Sequence, residues 1–192
     1  MVEKREQEMI ERNFEDLRAN YRDSSYQEKI DNYCKKFNFQ KEVIEKKILE
    51  DDYFAAFFVK DPSKQNFTEH LVEELLNTKV LPQAGKASIR FKEDGTITAK
   101  KEPNTTKSAD FLINSTYITQ KYTRGAGGAQ DNQFNDVVDF LTKGSKKNSV
   151  AAIVDGSFWD EGKRAELKNY FENNPNVKIT SMDNILGGEE FD

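Results

Sequence analysis

Apolar and aromatic residues recur at helical spacing through the first third of the chain. They fall at Met9, Ile10, Phe14, Leu17 and Tyr21, then at Tyr26, Ile30, Tyr33, Cys34 and Phe37, in a stretch dense in Glu and Lys that holds no proline or glycine before residue 59. The pattern predicts two or three helices over residues 1–58, broken near Asp23-Ser24-Ser25 and again near Phe37-Asn38-Phe39. Such a segment serves as a packing or oligomerisation layer, and Cys34, on its apolar stripe, is expected as a buried small hydrophobe. The apolar run from Asp51 to Lys60 stops at Asp61-Pro62-Ser63, which punctuates like a turn before a helix from about Lys64 to Asn77. On that helix Phe67, Leu71 and Leu75 form the packing stripe, while Gln65 and Glu69, one turn apart, share another face.

Beyond residue 85 the period shortens to two. Ser88 to Phe91 and Thr96 to Lys100 surround Glu93-Asp94-Gly95, a hairpin signal. A second hairpin is read from Asp110 to Lys121, where two runs rich in β-branched and aromatic residues flank Asn114-Ser115. With those two residues as the loop, Ile113 faces Thr116, Leu112 faces Tyr117, Phe111 faces Ile118 and Asp110 faces Thr119. Alternation then puts Asp110, Thr119 and Lys121 on one face and Phe111, Ile113 and Ile118 on the other. A glycine-rich segment follows, then a helix through Phe134, Val137, Val138 and Leu141, and a buried strand from Ser149 to Val154 ending in Asp155-Gly156. A helix from about Asp160 to Glu172, a strand from Val177 to Thr180 and a last helical turn from Ser181 to Gly187-Gly188 complete the order. This alternation predicts an α/β fold with helices on both sides of a sheet, organised as an N-terminal helical extension over 1–58 and an α/β core over 59–192.

Composition narrows the chemistry. The 192 residues are 36% hydrophobic, with 14 Phe and 7 Tyr, enough for one ordinary core. No run approaches the ~18 to 20 apolar residues of a membrane span, and the charged N-terminus has no signal-peptide core behind it, so a cytoplasmic, soluble protein is expected. One cysteine and one histidine, Cys34 and His70, exclude an internal disulfide and leave no ligand set for zinc or Cys-His catalysis. Any metal is expected to be a hard, oxygen-bound cation. The net charge of −5 argues against a protein that coats nucleic acid through bulk positive charge. Local basic surface remains available at Lys100 with Lys101, at Lys107, at Lys121 with Arg124, and at Lys143 with Lys146 and Lys147. Each of these, taken alone, is more often solvated surface than a phosphate clamp.

The polar face of the second hairpin carries the candidate chemistry. Asp110 is placed to hold Mg²⁺ and Lys121 to face a phosphate or an attacking water; the structural alternative is a cross-strand salt bridge at a sheet edge. The segment Gly125-Ala126-Gly127-Gly128 lacks both the full dinucleotide pattern and the Lys-Ser/Thr of a phosphate loop, and reads instead as a tight turn that lets a DNA backbone approach. Gln130, Asn132 and Gln133 carry amides able to contact base edges, or to cap the helix they precede. His70 reads as a surface or partly buried histidine rather than a base, and Trp159 as packing.

These residues resemble the PD-(D/E)xK nuclease superfamily, in particular type II restriction endonucleases. Lys107-Ser108-Ala109-Asp110 is similar to the first half-motif, with Ala109 where a proline is usual, and Thr119-Gln120-Lys121 to the second, with Thr119 where Asp or Glu is usual. The order from Lys121 through Gln130, then Ala152 to Phe158 and Asn184 to Glu190, resembles a FokI-type cleavage domain over roughly the last two thirds of the chain. The resemblance implies a restriction-endonuclease-like mixed sheet flanked by helices. It implies Asp110 as metal ligand, the Gln120 carbonyl and the helix residue Glu69 as further ligands, and Lys121 orienting water. Glu69 or Asp131 would stand in for the carboxylate missing at Thr119. Lys107, Arg124, Gln130, Asn132 and Gln133 are the expected DNA contacts. The implied activity is Mg²⁺-dependent, site-specific hydrolysis of double-stranded DNA by a homodimer, since cutting two strands symmetrically takes two sites. The alternative is a non-catalytic DNA-binding or assembly module that kept the fold and lost the second carboxylate.

Overall fold

The structure, a computed structural model, describes residues 2–62, 66–123 and 130–189, without the side chains of Gln130 and Asp131. The chain divides into two compact units, residues 1–67 and 68–192.

The first unit is helical: α1 (Val2–Asn20), α2 (Ser24–Phe37), α3 (Lys41–Glu50) and the single turn α4 (Asp52–Ala55). The breaks fall where polar residues interrupt the stripe. Asn38 closes α2 in the left-handed conformation, φ 55°, returning its N–H to the Cys34 carbonyl. Leu17, Tyr26, Ile30, Ile44, Ile48, Ala55 and Phe58 bury themselves together, and the Tyr33 ring packs among Phe37, Phe54 and Phe58. The Tyr26 hydroxyl donates to Asp16 at 2.6 Å, and with Asn20 and Lys60 it holds that carboxyl down at about 2. The unit runs past the boundary at residue 58 that composition suggested. Val59 packs on this core, and Asn13 Nδ2 donates to the Lys60 carbonyl at 2.9 Å, so the chain leaves the unit only after the turn at Pro62. Cys34 is half-buried rather than buried, at the margin of the cluster. No described helix is long and apolar enough to cross a membrane.

The second unit is mixed α/β. Its four-stranded sheet has the order β3-β4-β5-β6, with β3 (Phe111–Ile113) antiparallel to β4 (Thr116–Tyr122), and β4, β5 (Ser149–Asp155) and β6 (Val177–Thr180) mutually parallel. Parallel neighbours need crossovers, supplied by α6 (Gln130–Gly144) and α7 (Glu161–Tyr170). Val150, Ala152 and Val154 pack under Val137, Phe140 and Leu141 of α6 and against Trp159. The alternate residues Ile118, Ala151 and Ile153 are equally buried on the opposite face, as expected of a sheet covered on both sides. β1 (Arg90–Phe91) and β2 (Ile97–Thr98) form a separate two-stranded ribbon turned at Gly95, φ 81°. The helix expected over 64–77 is α5 (Phe67–Leu76). Its fully buried positions are Leu71 and Val72, with Phe67 and Leu75 half-buried, so the packing stripe is rotated by one residue from the predicted one; Gln65 lies outside the described residues. A short α8 (Met182–Leu186) ends the unit.

The Asp110 cleft

The hairpin of β3 and β4 has the register read from sequence: Phe111 opposite Ile118, Leu112 opposite Tyr117, Ile113 opposite Thr116. Asn114 and Ser115 turn it with positive φ at both positions, 46° and 67°, the primed-turn conformation that matches strand twist. Asp110 sits just before β3, its N–H bonded to the Ile118 carbonyl at 2.8 Å. Because β3 starts one residue later, the next β4 N–H on that edge, that of Gln120, is offered to the Asp110 side chain, and Oδ2 accepts it at 2.7 Å. The N–H and C=O of one strand residue point to the same edge, so the Gln120 carbonyl faces the space beside that carboxylate.

Three further groups fix Asp110. The Thr119 hydroxyl donates to Oδ2 at 3.3 Å, Gln83 Nε2 donates to Oδ1 at 3.1 Å, and Lys121 Nζ stands 3.9 Å from Oδ2. A carboxylate carries about four lone-pair sites, so with one donor on Oδ1 a position remains there for a cation. Gln83 is itself held by Ser108, whose hydroxyl donates to Gln83 Oε1 at 2.5 Å. Thr119 therefore acts as a donor that orients Asp110 and supplies no charge of its own.

Asp110 and Lys121 open onto a cleft of about 360 Å³. Lys101, Lys107, Lys121 and Arg90 line it with Asp110 and Asp136, an excess of positive charge in a chain of net charge −5. Lys107 stands at its rim, 4.0 Å from Asp136. Gln133 lines the wall and accepts a hydrogen bond from the Thr123 hydroxyl, whereas Asn132 is exposed on α6. Arg124 and the glycine segment lie outside the described residues, as do the side chains of Gln130 and Asp131.

Glu69, half-buried on α5, lies within electrostatic reach of the pair. Burial raises its pKa first, the Asp110 charge raises it further, and His70 and Lys121 pull it back. The neighbouring Thr68 hydroxyl reaches Gln120 Oε1 at 3.5 Å, tying α5 to β4. His70 itself is exposed and paired with Glu73 at 3.0 Å, and Trp159 is wholly buried, stacked on Phe134.

Asp110, Glu69 and the Gln120 carbonyl are oxygen donors of the kind Mg²⁺ takes, which is one or two carboxylates with several retained waters, but Glu69 is not among the residues that line the cleft. Among the described residues no group of three or more His, Cys, Asp or Glu side chains is placed to hold a metal ion. Sequence inspection missed Gln83, Arg90, Ser108 and Asp136 as cleft residues. Gln83 comes from a segment without periodic signal, Arg90 from a strand whose sequence does not show where it docks, and Asp136 reads as the polar face of α6. Comparison of the chain with protein-family models, with curated proteins and with solved structures found no match.

Proposed function

We propose that the chain is a Mg²⁺-dependent endonuclease of restriction type, hydrolysing phosphodiester bonds of double-stranded DNA at a specific sequence. The observation that carries this reading is a buried aspartate clamped by a backbone N–H at the end of a hairpin, with a lysine 3.9 Å away at the mouth of a basic cleft. Asp110, Glu69 and the Gln120 carbonyl would hold the metal, whose chemistry is to lower the pKa of water and offset charge on phosphate oxygens. Lys121 orients the attacking water and faces the charge that builds on the phosphorus oxygens. Lys107 and Lys101 draw the DNA backbone into the cleft, and Gln133, with Gln130, Asn132 and Arg124, supplies contacts along the groove. Two-strand cutting by one site per chain calls for a homodimer, for which the helical unit, with Phe37, Phe39 and Phe57 exposed, is an available surface. Such an enzyme works where the DNA is, in the cytoplasm.

The test is cleavage of supercoiled and linear DNA with Mg²⁺ across a range of salt. Discrete fragments are expected from the wild type, with rates reduced by about 10²-fold or more in both Asp110→Ala and Lys121→Ala. Cleavage undiminished in Asp110→Ala would sink the assignment. Thr119 supports one second reading, a DNA-binding or assembly module on the same fold. DNA binding by folded wild type with no cleavage in Mg²⁺ or Mn²⁺ would favour it.

A further inference from the structure

Arg90 is the least expected member of the cleft. A guanidinium stays charged at any physiological pH, and a buried one is normally paired with a carboxylate. Here the residue is 8% exposed, and its bonds go to neutral acceptors: one terminal nitrogen donates to the Thr106 carbonyl at 3.0 Å and the other to the Gln83 carbonyl at 2.9 Å. Its Nε is buried with no acceptor. Among the described residues two other buried side-chain nitrogens are unpartnered, on Gln120 and Trp159, but both are neutral. Among the described residues no carboxylate pairs with Arg90.

The surroundings add charge of the same sign. Lys101 and Lys107 line the same cleft, and Lys107 stands 4.0 Å from Asp136. Gln83 joins this cationic end to the reacting end, since its carbonyl accepts from Arg90 while its side-chain amide donates to Asp110. Two carbonyls aim the guanidinium, and a planar fork of donors matches the oxygens of a phosphate.

We infer that Arg90, with Lys101 and Lys107, forms a phosphate-binding subsite in the cleft, next to the Asp110–Lys121 pair. As a subsite for a neighbouring backbone phosphate of the cleaved strand it rests on the nuclease reading; as an anion site it stands on the uncompensated guanidinium alone. It would fix the register of the strand so that one diester lies over Asp110, and it would act on all sequences alike. The ligand chemistry is a phosphate group, free or esterified.

The experiment uses the full chain in EDTA, so that no cleavage occurs, with two probes. Thermal unfolding is followed in inorganic phosphate against chloride at matched ionic strength, and a labelled DNA duplex is titrated at several salt concentrations. For the wild type, phosphate is expected to raise the melting temperature and the duplex to bind. Arg90→Gln is expected to lose the phosphate effect, to weaken duplex binding about tenfold, and to reduce the slope of log K against log salt by about one. Because Arg90 also ties two loops, the surface pair Lys101→Ala with Lys107→Ala is measured alongside and should lower both responses without unfolding. Protection by phosphate without duplex binding would keep the anion site and sink the nuclease reading. Duplex binding with unchanged salt slope in both variants, or no phosphate response in the wild type, would overturn the subsite.

Discussion

Two buried aspartates flank the end of β4, and they are treated in opposite ways. Asp110 lies against one edge of the strand and Asp155, opposite Tyr122, against the other, at 7% and 6% exposure. Asp110 receives a backbone N–H, a hydroxyl and a side-chain amide, with an ammonium nearby. Asp155 receives the Met182 N–H at 2.9 Å, which it uses to start α8, and burial pushes its carboxyl up to about 6 despite that bond and the pull of Arg164, with Asp183 adding to the rise. Residue type and exposure are thus nearly the same, and what differs is the number of donors each carboxylate receives. One end of the strand is built to present a carboxylate to a polar cleft, the other to close a corner.

The corner should break most sharply at Gly156. Its φ of +97° is one that side chains rarely adopt, and a Cβ there would lie 2.2 Å from the Thr123 carbonyl oxygen and 2.8 Å from its carbon, both backbone atoms that cannot step aside. Gly156→Ala is expected to cost about 3 kcal/mol or more in urea denaturation. A loss below about 1 kcal/mol would mean that β4 and β5 separate easily at this end. The expected rigidity matters for the cleft, because Thr123 also positions Gln133.

The same substitution at the two aspartates should have opposite signs. Asp155 binds its proton more tightly folded, at about 6, than at its ordinary value of 3.8, so the native state holds more protons between those values and stability falls as pH rises through them. The whole fall amounts to at most roughly 3 kcal/mol. Asp155→Asn keeps an oxygen for the Met182 N–H, removes the charge, and should be more stable than wild type at pH 8 by roughly 2 kcal/mol, the gain vanishing below pH 4. Asp110→Asn should instead destabilise by about 1 to 2 kcal/mol at neutral pH, since one amide oxygen cannot serve three donors placed on two carboxylate oxygens. Denaturant titrations of both variants at pH 4, 6 and 8 check this; equal signs at pH 8 would dissolve the contrast.

Much of this end of the molecule is legible locally. The hairpin follows from alternation plus Asn114-Ser115, and its register places Asp110, Thr119 and Lys121 together without any tertiary knowledge. The strand from Ser149 to Val154 and the helix from about Asp160 are read equally directly; the strand runs one residue further, and Asp160 caps the helix by accepting the Lys163 N–H at 2.8 Å. The cationic half of the cleft is another matter. Gln83 and Arg90 arrive through long-range bonds, Leu81 N–H to the Asp110 carbonyl and Ala109 N–H to the Ile89 carbonyl, both 2.7 Å, with Thr106 N–H to the Phe91 carbonyl at 3.0 Å. Nothing in residues 78–87 marks that docking, and the alternation of Ser88 to Phe91 marks a strand without naming its neighbour. The limit of the helical unit lies beyond residue 58 for a related reason: Val59 and the Lys60 carbonyl still attach to its core and to α1 after the helical pattern has ended.

The far end of the hairpin offers the smallest effect and a test of whether the site depends on its turn. Ser115 holds φ at 67°, a region that costs a non-glycine residue roughly 1 to 2 kcal/mol, whereas Asn114 at 46° is a residue type that tolerates it. Ser115→Gly removes that strain and adds flexibility to the unfolded chain, worth about 0.5 to 1 kcal/mol in the other direction. The balance predicts a stabilisation of a few tenths to about 1 kcal/mol. The three strand residues Phe111–Ile113 separate the turn from Asp110, about 13 Å from Asp110 to Asn114 at the usual rise, so metal-dependent cleavage should be unchanged while unfolding slows or the midpoint rises. Loss of cleavage in a stabilised Ser115→Gly protein would show that the turn sets the placement of Asp110 against Gln120, and that the donors around the carboxylate do not suffice to hold it.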